Sequence, residues 1–307
     1  MSEIILHHYD LSPYAEKIRL ALGRKALSWR SVQTPMVLPK PDHMELTGGY
    51  RRVPVMQIGA DVWCDTHCIA RALDRLYPDP PLSPPGMELF EHGVSRWAET
   101  TFMMVILALF GIGGVFPPEF VEDRRNTMVP PGTDMDRTKL VLGTKLAQIR
   151  ANLDRLERHL GDGRAFLLGR EPCLADFSAY HPLMGLGMHP KTHALLDPLG
   201  RVRAWMERVR AIGHGKRTEI TSEEALAVAR AASPAPYEGE PALPDGIALG
   251  QRVVVFADEY GSGTVTGTLA ASDIHEIAVR REGPRVGEVV VHFPREDYGV
   301  MAIPGGA

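Results

Sequence analysis

Short apolar runs alternate with helical periodicities over the first eighty residues. Ile4-Ile5-Leu6 predicts a strand, and Asp-Leu-Ser-Pro at 10–13 predicts a turn. Tyr14, Ile18, Leu20, Ala21 and Leu22 then recur at roughly helical spacing until Gly23. Further strands are predicted over 29–32, 53–58 and 62–64, the last two joined across Gly59-Ala60-Asp61. A helix over 66–77 stops before Pro78, Pro80 and Pro81. The order β-α-β, an irregular stretch, then β-β-α is that of an α/β sandwich with a mixed sheet.

Beyond the proline-rich linker at 78–85 the period becomes helical. In the segment 133–160, Thr133 and Asp136 resemble a capping box, and Leu140, Leu146, Ile149, Leu153, Leu156 and Leu160 share one face. Helices are also predicted over 175–188, 198–212 and 221–232. Residues 232–246 are rich in Pro, Gly, Ser and Ala and make a second linker. Short β-rich runs follow at 253–256, 264–269, 274–279, 289–293 and 300–303, broken by turns at 260–263 and 282–284. Five short strands in about sixty residues predict a small barrel or meander.

Composition narrows the function class. A chain of 307 residues exceeds what one core usually serves, so two or three domains are expected. With 44% hydrophobic and 23% charged residues it is an ordinary globular sequence. A net charge of −4 argues against nucleic acid as a partner, since neutralising phosphates needs a basic surface. Three cysteines, Cys64, Cys68 and Cys173, form neither a disulfide framework nor a zinc-ligand pattern and fit a reducing, cytoplasmic compartment. The start has no basic region ahead of a long apolar core, so no signal peptide is expected. The most apolar stretch, 102–116, falls short of the roughly twenty residues of a membrane span.

Three places carry candidate chemistry. Ser12-Pro13-Tyr14-Ala15 stands where the first strand gives way to the first helix. Serine is a favoured N-cap and proline a favoured first residue, so this is a helix start. It is also a place where a hydroxyl and free N–H groups stabilise an anion such as a thiolate. Val53-Pro54 opens the third strand, where proline costs no ladder donor. A cis bond there would turn the Val53 N–H and C=O toward an extended ligand. Asp65-Thr66 heads the next helix, with Thr66 a plausible cap. The pair would also suit the carboxylate and ammonium of an α-amino-acid head group.

In that order the segments resemble those of glutathione S-transferases of the serine-type, bacterial-like kind. Ser12-Pro13-Tyr14-Ala15-Glu16-Lys17-Ile18-Arg19 is similar to the family's Ser-Pro-Phe/Tyr segment. Gly48-Gly49-Tyr50-Arg51-Arg52-Val53-Pro54-Val55 is similar to Asn-Pro-x-Gly-Lys-Val-Pro-Val, and Cys64-Asp65-Thr66 to the Glu-Ser pair. Phe166 to Phe177 resembles the Phe-Leu-x-Gly…Ser-x-Ala-Asp folding motif of the helical domain. The spacing agrees over roughly residues 3–215.

The resemblance implies an α/β thioredoxin-like domain (1–80), an all-α helical domain (86–232) and, beyond the family's usual length, a small all-β barrel-like domain (247–307). It implies a cytoplasmic homodimer active in detoxification, with glutathione as co-substrate and Pro54 cis. Ser12 would donate its hydroxyl to the glutathione sulfur, with Tyr9 the alternative donor. Val53 would pair with the cysteinyl residue, Asp65 and Thr66 would take the γ-glutamyl end, and Arg52 with Lys40 would meet the glycyl carboxylate. Leu11, Tyr14, Phe102, Met103, Met104, Ile106 and Phe110 would line a pocket for a hydrophobic electrophile, although such a stripe also suits plain core.

Three departures stand out. Asp65-Thr66 replaces Glu-Ser, Thr47-Gly48 replaces Asn-Pro, and Cys173 replaces a capping serine. Ser12 stands where a thioredoxin-type cysteine would, which argues against disulfide exchange. Cys64 and Cys68 are expected to pack, and His181, His189 and His193 to bind no metal. An alternative function keeps the fold without catalysis: a binding protein whose C-terminal β domain docks a partner. That domain holds five arginines and no lysine against eight acidic residues, so nucleic acid is not that partner.

Overall fold

The computed structural model describes residues 3–127, 137–258, 261 and 263–304. The first unit runs β1 (Ile4–His8), α1 (Pro13–Arg24), β2 (Ser28–Gln33), α2 (Pro41–Thr47), β3 (Val55–Ile58), β4 (Asp61–Cys64) and α3 (Thr66–Leu76). Strand β1 lies parallel to β2 and antiparallel to β3, which pairs antiparallel with β4. All five residues of β1 are buried because both faces are covered. Ile4 and Leu6 enter the large core shared with α1 and the helical unit, while Ile5 turns to Val32 and Ala225 on the other face. Helix α2 falls in the stretch the sequence leaves irregular; seven residues hold too little periodicity to reveal it.

The helical unit comprises α4 (Glu88–Ile112), α5 (Pro118–Thr127), α6 (Arg137–Leu140), α7 (Leu142–His159), α8 (Leu174–Leu186), α9 (Pro190–His193) and α10 (Gly200–Arg210). The Thr133–Asp136 capping pattern lies outside the described residues. Helix α4 is longer than the apolar stretch 102–116 foretells, and by length and composition alone it would suffice to cross a membrane. Its Val105, Ala108 and Leu109 are nonetheless buried in the core shared with α7 and α8. Cys173 is compensated as a cap. The Asp176 carboxylate accepts from Cys173 N at 3.0 Å, Leu167 N at 2.8 Å and Trp205 Nε1 at 2.8 Å. Trp205 and Phe177 are fully buried beside it, and each contributes roughly 1.5–3 kcal/mol of apolar burial.

The chain then returns to the sheet. Strand β5 (Lys216–Glu219) pairs parallel with β2, and α11 (Ser222–Ala231) packs on the first unit, its Ala225 carbonyl accepting from Gln57 Nε2 at 2.9 Å. Residues up to 232, expected with the helical domain, thus include a strand and a helix of the sheet unit.

The last five strands are β6 (Arg252–Ala257), β7 (Thr264–Ser272), β8 (Glu276–Gly283), β9 (Gly287–Pro294) and β10 (Tyr298–Ala302). The expected β unit is present, and of the two expected forms it takes the meander. The strands form an antiparallel meander, and β9 adds parallel to β4, giving one ten-stranded sheet ordered β10-β6-β7-β8-β9-β4-β3-β1-β2-β5. Its core is shared as well: Val253, Leu269, Val279, Val291 and Phe293 cluster with Tyr50, Val55, Val62 and Cys64 of the first unit. A buried ionic bridge marks the seam. His292 meets Asp61 Oδ1 of β4 at 3.0 Å and Glu276 Oε1 of β8 at 2.7 Å, stacked on Trp63 at 4.8 Å.

Candidate functional site

The C-terminal ends of β1 and β4 and the start of β3 meet at one end of the sheet, where α1 and α3 begin. Ser12 caps α1: its N–H donates to Tyr9 O at 3.0 Å and its Oγ accepts from Ala15 N at 3.2 Å. Because Oγ acts there as an acceptor, its hydrogen is left to donate to a further group. Ser12 itself is only 2% exposed.

The Val53–Pro54 bond is cis, and Pro54 is buried. Among the described residues, neither the N–H nor the C=O of Val53 has a backbone partner. Asp65, at a left-handed φ of 75°, is the cap of α3, so Thr66 becomes the buried first helical residue. Asp65 Oδ1 accepts from His67 N at 2.9 Å, and Tyr298 of β10 stands 3.4 Å from Oδ2.

A cluster of cations closes the far side. Lys40, 5% exposed, donates to Arg51 O at 3.2 Å, with its ammonium 5.9 Å from the Tyr9 ring centroid. Burial, then the nearby Arg124 and Arg51 guanidinium groups, push the Lys40 ammonium down to about 8. Helix α5 brings this about: Asp123 accepts from Leu38 N at 3.0 Å and pairs with Arg51 and Arg124, and Arg51 donates to Thr127 Oγ1 at 2.7 Å. Arg52 is half-buried, and its carbonyl accepts from His43 Nε2 at 2.9 Å. The sequence singles out Lys40 and Arg52, whereas the cluster around Lys40 also holds Arg51 and Arg124. Nothing local distinguishes Arg124, because only the tertiary approach of α5 puts it there.

Some of the residues expected to line an apolar pocket are brought together. Phe102, Ile106 and Phe110 stand four apart on one side of α4. Tyr14 reaches Phe102 edge-to-face at 5.1 Å, and Phe110 contacts Phe116, which stacks on Phe120 at 5.0 Å. Met103 is 51% exposed, Met104 is half-buried, and Leu11 is 70% exposed.

Two residues that the sequence does not place at the site lie beneath. His181, 4.8 Å from Tyr14 and 5.6 Å from Phe102, is buried, neither ring nitrogen has a hydrogen-bond partner among the described residues, and burial together with Lys17 pushes it down to about 3. Lys17 is 1% exposed, its ammonium pushed down by burial and supported by Glu91, Glu99 and Asp65. A lone histidine and a lysine on a helix carry no local signal of this kind. Among the described residues no cluster of His, Cys, Asp or Glu has the arrangement of a metal site. Cys64 and Cys68 are both buried packing residues.

Chemically, the site joins a hydroxyl at a helix N-terminus, an unpaired extended backbone, a carboxylate and a cation cluster, with aromatic side chains alongside. Residues 6–81 match the model of the glutathione S-transferase N-terminal domain, and residues 128–208 that of its C-terminal domain. The crystal structure of a GST-like protein from Pseudomonas syringae is 38% identical with a TM-score of 0.81, covering 99% of this chain and all of that one. The β-rich C-terminal part is therefore shared with it. FtsZ-localized protein A of Caulobacter vibrioides is 26% identical over 190 residues, 58% of this chain and 74% of that protein. A glutathione S-transferase of Ceriporiopsis subvermispora, solved in complex with glutathione, is alike in fold, with 20% identity, a TM-score of 0.52, and coverage of 69% and 98%. The chain belongs to the glutathione S-transferase family.

Proposed function

We propose that this protein binds glutathione and activates its thiol for attack on a small hydrophobic electrophile. The observation that carries the reading is the Ser12 hydroxyl: it accepts from Ala15 N at the head of α1 and keeps its own hydrogen for a sulfur. A thiolate there gains that hydrogen bond and the positive end of the α1 dipole, so its proton is lost more easily. The unpaired Val53 backbone suits the cysteinyl residue, and Asp65 and Thr66 suit the γ-glutamyl end. Lys40, together with Arg51, Arg52 and Arg124, suits the glycyl carboxylate. Burial first, and then the Arg124 and Arg51 guanidinium groups, hold the Lys40 ammonium down at about 8, and a carboxylate placed there would offset that charge repulsion. The thiolate sulfur then forms a bond to carbon of an electrophile seated against Leu11, Tyr14, Phe102, Ile106 and Phe110, and the leaving group departs with the displaced electron pair.

The test is calorimetric titration with glutathione, followed by conjugation of a model electrophile. Wild type is expected to bind, and Ser12→Ala to bind while losing conjugation at neutral pH. Full activity of the variant at every pH overturns the role of Ser12. A second reading, a binding protein without catalysis, is favoured by the 2% exposure of Ser12 and by the likeness to a relative named as localised with FtsZ. Glutathione at millimolar concentration would then leave the melting temperature unmoved. The homodimer implied by the resemblance belongs to the first reading, and light scattering checks it.

A further inference from the structure

The β9–β10 turn carries residues 295–298 to the start of α3. Asp297, at a left-handed φ of 64°, pairs with Arg96 of α4 at 2.7 Å, and Glu296 meets Arg96 at 3.0 Å and His92 at 3.1 Å. Such surface pairs are individually weak, but together they hold the turn against α4. The turn presents Tyr298, which is 7% exposed and packs on Phe293 at 5.4 Å. Its hydroxyl lies 3.4 Å from Asp65 Oδ2 and 3.4 Å from the Tyr50 hydroxyl. A buried phenol needs such partners. The approach is reinforced next to Tyr50, where a β-carbon on Gly49 (φ 126°) would stand 2.6 Å from Thr264 O.

Asp65 therefore has its two oxygens held by two different parts of the chain. Helix α3 holds Oδ1 through His67 N, and β10 holds Oδ2. Each oxygen keeps a lone pair for an incoming ammonium group, and its direction is set before the ligand arrives.

We propose that the C-terminal β unit completes the γ-glutamyl end of the glutathione site in cis, with Tyr298 as the positioning residue that aims the Asp65 carboxylate. This rests on the glutathione reading above. The unit added to the edge of the sheet is then part of the ligand site and not a separate docking module.

The test is Tyr298→Phe, titrated calorimetrically with reduced glutathione and with cysteinylglycine, which lacks the γ-glutamyl residue. Glutathione affinity is expected to fall about tenfold, the low end for a hydrogen bond to a charged group. Cysteinylglycine affinity and the melting temperature should stay at their wild-type values. In an Asp65→Ala background the same change should cost nothing more. If Tyr298→Phe melts well below wild type, the double variant His92→Ala, Arg96→Ala, which removes the turn's pairs to α4, is measured with the same expectation. Unchanged glutathione affinity, an equal loss for both peptides, or an additive loss on top of Asp65→Ala overturns the inference. Wild-type protein that binds neither peptide overturns the glutathione reading and this inference with it.

Discussion

Replacing His292 with leucine should uncouple the C-terminal strands from the rest of the sheet. Its ring donates to Glu276 from Nδ1 and to Asp61 from Nε2, which requires the doubly protonated imidazolium. The two carboxylates, through hydrogen bonds and charge, lift its proton affinity above the ordinary histidine value against the opposing effect of burial. Asp61 and Glu276 are each 5% exposed, and Asp61 Oδ2 also accepts from Ala235 N at 2.8 Å. Leucine leaves two buried carboxylates facing each other without a cation. Breaking a buried pair in this way costs about 3–5 kcal/mol. For a chain of this size that lowers the melting temperature by roughly 5–8 °C. Scanning calorimetry with Trp63 fluorescence, which reports the ring stacked on His292, measures it. Adding Asp61→Asn and Glu276→Gln to the variant should recover much of the loss. A single variant melting within about 1 °C of wild type would refute the reasoning, since a loss of even 1 kcal/mol shows at that scale. The pH dependence has a definite sign. A raised native pKa makes this stabilisation complete below about 6.5, the unfolded value, and removes it as pH rises through the native one.

Other regions respond in the opposite sense to acid. Burial pushes His7 down to about 4 and His8, His43 and His181 to about 3, so the native state resists protons that the unfolded chain takes up below 6.5. Each group then costs about 1.4 kcal/mol per pH unit, of order 5 kcal/mol in all by pH 5.5, which the single raised histidine does not offset. Urea midpoints at pH 7.5 and 5.5 check this, and His181→Leu should shrink the difference while raising stability at neutral pH, because it removes buried nitrogens that lack partners. Gly49→Ala, with φ at 126° and its new β-carbon 2.6 Å from Thr264 O, should destabilise the junction by about 1–3 kcal/mol, read as a lowered urea midpoint. Lys40→Met should weaken glutathione binding about tenfold in calorimetry, with little effect on cysteine methyl ester, which has no glycyl carboxylate.

Much of this molecule is legible from local pattern, and the exceptions have physical causes. Ser12-Pro13 marks the start of α1 because a hydroxyl cap and a fixed φ act within three residues. The runs at 253–256 and 289–293 announce strands, but which edge they join depends on Asp61 and His292, separated by 231 positions. The departure at Thr47-Gly48 looks like erosion of a family motif. In the fold Gly48 and its neighbour Gly49 are contact points: a β-carbon on Gly48 would collide with the Arg281 side chain, and one on Gly49 with the backbone of Thr264. Strand β5 has only four residues, three of them exposed, so no alternation reveals it. Arg124 and Tyr298 escape notice for the same reason, since each reaches the candidate site through a partner element and not through a motif of its own.

The central claim is that Ser12 lowers the proton affinity of a bound glutathione thiol. The direct measurement follows the ultraviolet absorbance of the thiolate across pH in the protein–glutathione complex, for wild type and for Ser12→Ala. In wild type the bound thiol should ionise at least one pH unit below the ordinary cysteine value of about 8.5, and in the variant it should return toward that value. Identical titrations in the two proteins would contradict the account.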